Sequence, residues 1–345
     1  MYWCGYGHER FASSPEVVKI SSPEEIKICD PACGSGHMLT YAFDLLYAIY
    51  EEEGVDAAEI PEKILTHNLY GIELDERAGE LAAFALTMKA RARQWRFFNK
   101  QVKPNICVLE KVSFSREELD EYMTAVGRDL FTHGLRETLQ QFREADNFGS
   151  LIVPKVANVA DVMATLETKD LSGNLFLADT HQRVMSVLRM ADYLSPRYAV
   201  VVANPPYMGG KGMNGRLSAW AKETYPNSKS DLFAMFIERG FDLTPKYGYS
   251  AMVTMQSWMF LSSYEALRER ILRETSIECM VHMANMVMGI AFGTAATVLK
   301  KGGSPESRGA YCYVEYEDIG EDNKPVEFPP RNERNSKAVQ RRGGA

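Results

Sequence analysis

The sequence contains no run of about eighteen consecutive apolar residues, so no transmembrane helix is expected. The N-terminal stretch Met1–Arg10 also lacks the layout of a signal peptide, in which a charged region precedes an apolar one. We therefore expect a cytoplasmic protein. Its 345 residues suffice for one large domain or two smaller ones, and 46% hydrophobic with 25% charged residues is an ordinary globular composition.

Metal-binding side chains are few and scattered. The six cysteines form no Cys-x-x-Cys pair, and the six histidines do not cluster with them. We therefore expect no metal site, and thiols that are reduced and mostly buried. The cysteines are Cys4, Cys29, Cys33, Cys107, Cys279 and Cys312.

Basic residues are fewer than acidic ones, 39 against 46, so the formal net charge is −7. A protein that binds DNA usually presents a basic face, although a local basic patch can coexist with an acidic remainder. The net charge therefore leaves DNA open as a partner, but it argues against tight DNA binding by this chain alone.

Short apolar segments alternate with amphipathic helices along most of the chain, a pattern typical of a parallel sheet covered by helices on both faces. We predict an α/β fold with a doubly wound, mostly parallel, seven-stranded sheet. In such sheets a ligand lies beyond the carboxyl ends of the strands. The predicted strands are Lys27–Asp30, Asn68–Leu74, Ile106–Leu109, Tyr198–Ala203, Tyr249–Met255, Ile277–His282 and Ala295–Leu299, with Tyr311–Tyr316 as a further candidate.

One long segment interrupts the alternation. Its pattern is mostly helical, which predicts a helical insertion between two parts of the core. The predicted organisation is an irregular lead-in at residues 1–25, a core at 26–112 and 195–301, the insertion at 113–194, and the start of a truncated or disordered C-terminal region at 302–345.

A glycine turn joins the first predicted strand to the first predicted helix, in the sequence Asp-Pro-Ala-Cys-Gly-Ser-Gly from Asp30 to Gly36. Glycine permits a tight turn and a close backbone approach to a ligand, and the following helix begins with free N–H groups. A lone Gly-x-Gly turn is a weak signal, because it occurs in many nucleotide-binding folds and in ordinary loops.

The second predicted strand ends in acidic residues, Glu73 and Asp75. A carboxylate at this point can accept both hydroxyls of a ribose. The sequence has no Gly-x-x-x-x-Gly-Lys-Ser/Thr phosphate loop, so the pocket is predicted to take an adenosine without a polyphosphate. The alternative is that both residues only cap the next helix, a role that suits Asp75 better than Glu73.

A second motif, Asn-Pro-Pro-Tyr from Asn204 to Tyr207, follows a strongly apolar strand. The two prolines fix the backbone and remove two donors, leaving a rigid, acceptor-rich loop with one amide and one aromatic ring. The Asn204 side-chain oxygen and the Pro205 carbonyl can accept the hydrogens of a planar amine, while Tyr207 stacks on its ring. The alternative is an ordinary proline-rich turn.

Together and in this order, the motifs resemble those of amino-methylating DNA methyltransferases. The wider sequence resembles the PglX methyltransferases of BREX phage-defence systems over residues 25–301. The stretches that carry this resemblance are Asp-Pro-Ala-Cys-Gly-Ser-Gly-His-Met-Leu from Asp30, Asn-Pro-Pro-Tyr-Met-Gly-Gly-Lys from Asn204, Ser-Asp-Leu-Phe-Ala-Met-Phe from Ser230 and Phe-Gly-Thr-Ala-Ala-Thr-Val-Leu from Phe292.

The resemblance implies a Rossmann-like methyltransferase fold with S-adenosylmethionine as cofactor. It implies double-stranded DNA, methylated at N6 of a flipped-out adenine, as substrate, and other phage-defence subunits as candidate partners. It assigns Asp30, Ala32, Cys33, Gly34, Gly36, Glu73 and Asn105 to the cofactor, Asn204, Pro205, Pro206 and Tyr207 to catalysis, and Phe292 to a second aromatic face on the base. A core phenylalanine is the alternative for Phe292.

Residues 208–230 are predicted to form a mobile basic loop beside the second motif. Lys211 and Lys229 are its candidate DNA-binding residues, since lysines among glycines can clamp a phosphate backbone. An ordinary solvated loop is the alternative.

Other functions remain open. The PglX family is much longer and reads DNA with a region after the core, so we expect a fragment, a split subunit or a degraded gene product. Asn-Pro-Pro-Tyr can also serve protein glutamine, RNA or cytosine amines. A non-catalytic subunit that binds DNA or a partner protein is the alternative from a different class.

Overall fold

The computed structural model describes residues 17–127, 132–169, 173–302, 308–326 and 328. The start of the expected lead-in and most of the expected C-terminal tail therefore lie outside the described residues. The strands are β1 (Ile28–Asp30), β2 (Leu69–Glu73), β3 (Asn105–Val108), β4 (Val200–Ala203), β5 (Tyr249–Met255), β6 (Thr275–Met283), β7 (Thr294–Lys301) and β8 (Ala310–Val314).

These strands form one sheet in the order β3-β2-β1-β4-β5-β7-β6-β8. Neighbours pair in parallel throughout, except that β7 runs antiparallel to β5 and to β6. The predicted α/β class with a mostly parallel sheet is therefore confirmed. The strand number differs by one, because the candidate at 311–316 is a real strand that extends the sheet beyond β6.

Helices flank the sheet and fill the crossovers. They are α1 (His37–Glu52), α2 (Ile60–Lys63), α3 (Glu76–Arg93), α4 (Arg116–Val126), α5 (Thr132–Gln141), α6 (Ala145–Phe148), α7 (Val159–Glu167), α8 (Leu175–Tyr193), α9 (Gly215–Thr224), α10 (Leu232–Leu243) and α11 (Glu265–Glu274). Among the described residues no helix is both long enough and apolar enough to cross a membrane.

Both faces of the sheet are covered by apolar clusters, and successive strand residues contribute to opposite faces. On β4, Val200 and Val202 pack in the cluster built from α1, α2 and α3, whereas Val201 and Ala203 pack in the cluster on the other face. Successive side chains of a strand point to opposite faces, so an unbroken apolar run is buried on both sides. This burial explains why the parallel strands read as continuous apolar segments in the sequence.

The helical segment between β3 and β4 packs directly on the sheet. Its side chains share one hydrophobic cluster with Tyr70 and Ile72 of β2. A buried arginine on α10 fastens it further: Arg239 donates from Nε to the carbonyl of Ser150 and from one NH₂ group to those of Ile152 and Leu194. The segment is thus continuous with the core that supports the strand ends.

The prediction of a loop over residues 208–230 is wrong for the middle of this stretch, which forms helix α9. Asn214 caps this helix by accepting the Leu217 N–H, and Trp220 stacks on Phe148 with ring centroids 4.1 Å apart. Leu217 and Ala221 are buried beside them. The glycines and charges of this stretch concealed an apolar stripe with helical spacing, and packing against α6 makes the helix stable despite its composition.

Candidate active site

The two sequence motifs leave the sheet from neighbouring strands at the same edge. Strands β1 and β4 pair in parallel, with Cys29 opposite Val201, so the loop after Asp30 and the loop after Ala203 begin side by side. On the other side of β1, Asp30 pairs with Gly71, and β2 ends two residues later at Glu73. The predicted cofactor and catalytic loops are therefore adjacent.

The glycine turn has a backbone that needs glycine and leaves open space. Gly34 and Gly36 have φ angles of 50° and 83°, a region that residues with a side chain rarely adopt. A Cβ on Gly36 would lie 3.1 Å from Ala82 of α3, whereas a Cβ on Gly34 would meet nothing within 4 Å. No side chain caps the start of α1, so its first N–H groups have no side-chain acceptor.

Glu73 reaches across from β2 to the glycine turn. Its Oε2 accepts the Gly34 N–H at 2.8 Å, and its Oε1 accepts the N–H groups of Leu74 at 2.8 Å and Asp75 at 3.1 Å. Asp75 instead caps α3 by accepting the Ala78 N–H. The helix-capping interpretation therefore holds for Asp75, while the Glu73 carboxylate is directed at the turn.

Asp30 is a buried carboxyl, only 2% exposed, whose Oδ1 accepts the Ala32 N–H at 3.0 Å. Burial raises the pKa of Asp30 to about 7, because desolvation outweighs the stabilising Ala32 hydrogen bond, and the nearby Glu73 raises it further. Burial likewise raises the pKa of the Cys33 thiol, which therefore stays neutral at physiological pH. The turn thus offers a partly protonated acid and an unreactive thiol.

Asn105 does not lie at this edge, and its expected role near the cofactor adenine is wrong. It opens β3, opposite Tyr70, whereas Glu73 at the site is opposite Val108. Its amide donates to the backbone carbonyls of Leu65, Thr66 and Leu69, at the other end of the strands. The sequence could place it near a strand, but only the register shows at which end.

The Asn-Pro-Pro-Tyr loop is held by its tyrosine. The Tyr207 hydroxyl donates to the carbonyl of Val253 on β5 at 3.2 Å, and lies 3.4 Å from Oδ1 of Asn204. Burial raises the pKa of Tyr207 to about 12, so the hydroxyl remains protonated at neutral pH and keeps its hydrogen for the Val253 carbonyl. Pro205 is buried, whereas Asn204 and Pro206 are exposed.

A second aromatic ring faces Tyr207. Phe292 precedes β7, and because β7 runs antiparallel, its first residues lie at the edge where β4 and β5 end. The ring centroids of Tyr207 and Phe292 are 5.7 Å apart with an interplanar angle of 67°. Phe292 is half-buried and at the surface, which does not match a core position.

Asp231 is a site-supporting residue to which the sequence analysis gave no role. Its Oδ1 accepts the Met208 N–H at 2.9 Å and the Phe233 N–H at 3.3 Å, so one carboxylate caps α10 and holds the residue that follows Tyr207. The Ser-Asp pair before an apolar helix was a readable capping signal. Its second bond, to a loop 23 residues earlier, was not visible from spacing.

The two candidate DNA-binding lysines lie close together in the chain fold. Gly209 forms an isolated antiparallel bridge with Asp231, and the Gly210 N–H donates to the Ser230 carbonyl. Lys211 and Lys229 follow and precede these paired residues, and both are exposed. Both lysines are therefore exposed beside the backbone that follows the Asn-Pro-Pro-Tyr loop.

The raised pKa of Asp30 makes a prediction about stability. The folded chain retains a proton that the unfolded carboxyl, with an ordinary pKa of 3.8, has lost, so stability falls as pH rises from 3.8 to about 7. Asp30→Asn keeps the Ala32 hydrogen bond without the charge. Urea titration should show this variant more stable at pH 8 by up to ~4 kcal/mol, with the difference vanishing near pH 4.

Asp75→Asn is the matched control, because asparagine caps a helix as well as aspartate and the residue is exposed. Its difference from the unsubstituted chain should be small at both pH values. A loss of stability in Asp30→Asn at pH 8 would contradict the account, since it would mean that the carboxylate has a stabilising partner.

Comparisons with known proteins agree with the motifs. The family described as Eco57I restriction-modification methylase matches residues 67–287, and the one described as MmeI, DNA-methyltransferase domain, matches residues 19–110. The chain is 40% identical over 308 residues to "Adenine-specific methyltransferase BrxX" of Escherichia coli O9:H4 (strain HS), covering 81% of this chain and 25% of that protein. It is 39% identical over 254 residues to "Adenine-specific methyltransferase PglX" of Lacticaseibacillus casei (strain Zhang), covering 72% and 21%.

The chain thus spans about a quarter of the length of these curated relatives, 25% and 21%. Among solved structures, it is similar to the DrdV–DNA complex, with a TM-score of 0.48 and 14% identity over 89% of this chain and 27% of that one. It is also similar to the Type IIL restriction-modification enzyme MmeI in complex with DNA, with a TM-score of 0.48 and 12% identity over 89% and 34%.

Proposed function

Because the chain belongs to the Eco57I restriction-modification methylase family, we propose that it transfers a methyl group from S-adenosylmethionine to N6 of an adenine flipped out of double-stranded DNA. The observation that carries the proposal is the parallel pairing of β1 with β4, which starts the glycine turn and the Asn-Pro-Pro-Tyr loop side by side. The proposed setting is restriction-modification or phage defence in the cytoplasm, with other defence subunits as partners.

The glycine turn fits S-adenosylmethionine. The open space beside Gly34 admits a ligand against the backbone, and the uncapped N–H groups of α1 suit the carboxylate of an amino acid. Glu73 would exchange its bond with the Gly34 N–H for the ribose hydroxyls. When bound, the cofactor supplies an electrophilic methyl group on a positively charged sulfur.

The Asn-Pro-Pro-Tyr loop fits a planar amine. The lone pair of an adenine amine is delocalised into the ring, which makes it a poor nucleophile. Oδ1 of Asn204 and the carbonyl of Pro205 would accept its two hydrogens and favour a tetrahedral nitrogen whose lone pair is free. Tyr207 and Phe292 would hold the base by stacking, worth ~1–3 kcal/mol. Catalysis would then consist of positioning and fixed dipoles, with no covalent nucleophile.

DNA binding is assigned to the exposed lysines beside this loop. An adenine inside a duplex must leave the stack before its amine can react, so the backbone next to it has to be held. Lys211 and Lys229 are both exposed and lie next to paired backbone segments, so they would contact phosphates beside the loop together. Arg216 of α9 pairs with Glu144 at 3.2 Å, so it contributes less free charge.

Two substitutions separate the proposed roles of the motifs. Asn204→Ala should abolish transfer of labelled methyl groups to adenine in unmethylated plasmid DNA. Calorimetry should find the S-adenosylmethionine affinity within a few-fold, because the proposed role of Asn204 is to bind the amine and not the cofactor. Glu73→Ala should weaken cofactor binding first. Asn158→Ala, which removes a helix-capping asparagine from α7, is the matched control and should leave both measurements unchanged.

The outcomes also distinguish the alternatives. Label on protein or RNA instead of DNA would favour the same chemistry on another amine. A chain that transfers no label and binds no cofactor would fit a non-catalytic subunit and contradict the proposal. A large loss of cofactor affinity in Asn204→Ala would contradict the role given to this residue.

The lysine assignment makes a separate prediction about salt dependence. Each phosphate contact contributes a slope of ~0.9 to the fall of log affinity with log salt concentration. Lys211→Ala with Lys229→Ala should therefore lower that slope by about 2 for any DNA sequence, as measured by fluorescence anisotropy. Lys103→Ala, an exposed lysine just before β3 at the other end of the strands, is the control. An unchanged slope in the double variant would contradict the assignment.

A further inference from the structure

The backbone beside Phe292 is held by a side-chain contact that passes across strand β7. The residue after it, Gly293, accepts the Gln256 N–H with its carbonyl at 3.0 Å. The side-chain amide of Gln256 lies flat against the Gly293 Cα: a Cβ built there would lie 2.4 Å from Cδ, 2.4 Å from Oε1 and 2.5 Å from Nε2. The backbone next to Phe292 therefore rests on this amide.

The Gln256 side-chain amide is held by a residue on the other side of β7. Oε1 of Gln256 lies 2.6 Å from Nε2 of His282 on β6, so the tautomer with hydrogen on Nε2 donates to it. His282 is 7% exposed, and its ring lies 4.8 Å from that of Tyr313 and 5.9 Å from that of Phe260. Contacts with these two rings restrict the orientation of the imidazole.

Gly293 is what allows this contact. In the sheet, Ala295 of β7 lies between Thr254 of β5 and His282 of β6, so β7 separates the strand that leads to Gln256 from the strand that carries His282. Gln256 lies two residues after Thr254, and Gly293 lies two residues before Ala295. Because side chains alternate along a strand, both are on the same face of the sheet as Thr254 and Ala295. Because Gly293 has no side chain, the glutamine can extend across β7 to the histidine.

We propose that Gln256, oriented by His282 through the gap at Gly293, sets the position of Phe292 against Tyr207 and with it the width of the opening that receives the target base. This proposal rests on the proposed function. Gln256 and His282 are positioning residues, because they act through Phe292. No sequence spacing links Gln256, just after β5, with His282 on β6, 26 positions later.

The position of Phe292 can be tested without substrate. With 4-fluorophenylalanine in place of Phe292 in the full chain, the ¹⁹F resonance reports the ring current of Tyr207. Tyr207→Leu supplies the reference position without that ring. Gln256→Ala and His282→Ala should each move the resonance toward the reference and broaden it. Gln141→Ala, which removes a glutamine bonded to the Val153 carbonyl in the helical segment, should not.

A double-substitution cycle tests the contact itself. Gly293→Ala should displace the resonance, because its new methyl group overlaps the amide, and the backbone of Gly293 does not have a positive φ angle that would forbid alanine. In the Gln256→Ala background the same substitution should have little further effect, since the overlapping group is gone. Additive effects, or an unchanged resonance in Gln256→Ala, would overturn the proposal.

Methyl transfer supplies the readout that a merely structural role would not move. Gln256→Ala should lower kcat/KM for unmethylated plasmid DNA on the order of tenfold while leaving S-adenosylmethionine affinity unchanged. An unchanged kcat/KM, or an equal loss of cofactor affinity, would overturn the link to the base opening. If the unsubstituted chain transfers no methyl group, the proposed function fails, whereas the ¹⁹F result still decides whether Gln256 positions Phe292.

Discussion

The parallel pairing of β1 with β4 is the constraint on which the rest of the site depends. Adjacent strands lie about 4.8 Å apart, so two loops that leave them in the same direction have to begin next to each other. β2 adds Glu73 from one side. From the other side the reversed strand β7 adds Phe292, because its beginning lies where its neighbours end. A fully parallel sheet would put the residue before β7 at the opposite edge.

Buried polar contacts hold in place the loops that this strand order brings together. The Ser150 hydroxyl of the helical segment donates to the Pro31 carbonyl in the glycine turn, and Arg239 holds the Ser150 carbonyl from α10. Asp231 holds the backbone just after Tyr207. A buried donor or acceptor left without its partner costs ~1–3 kcal/mol, so each contact resists displacement of the loop it holds. The helical segment between β3 and β4 thus supports the glycine turn as well as covering the sheet.

The sequence predicted what is local and missed what depends on register or on distant packing. The strand ends before Asn204 and after Cys29 were readable, because apolar runs stop at Pro and Gly residues whose backbone requirements are local. Asn105 was misplaced, since a residue beside a strand can lie at either end of it. Helix α9 was missed because its stability comes from Trp220 stacking on Phe148, a contact with a segment more than 70 residues earlier. The Gln256–His282 contact crosses an intervening strand and leaves no periodic signal.

A crystal structure of the chain with a non-transferable S-adenosylmethionine analogue and a short duplex containing an extrahelical adenine would test the central claim most directly. The account predicts the analogue in the turn at 34–36 and the adenine amine between Oδ1 of Asn204 and the carbonyl of Pro205. The nitrogen should lie ~3–3.5 Å from the position of the transferable group. An analogue bound away from the turn, or an adenine bound on another face of the molecule, would contradict the account.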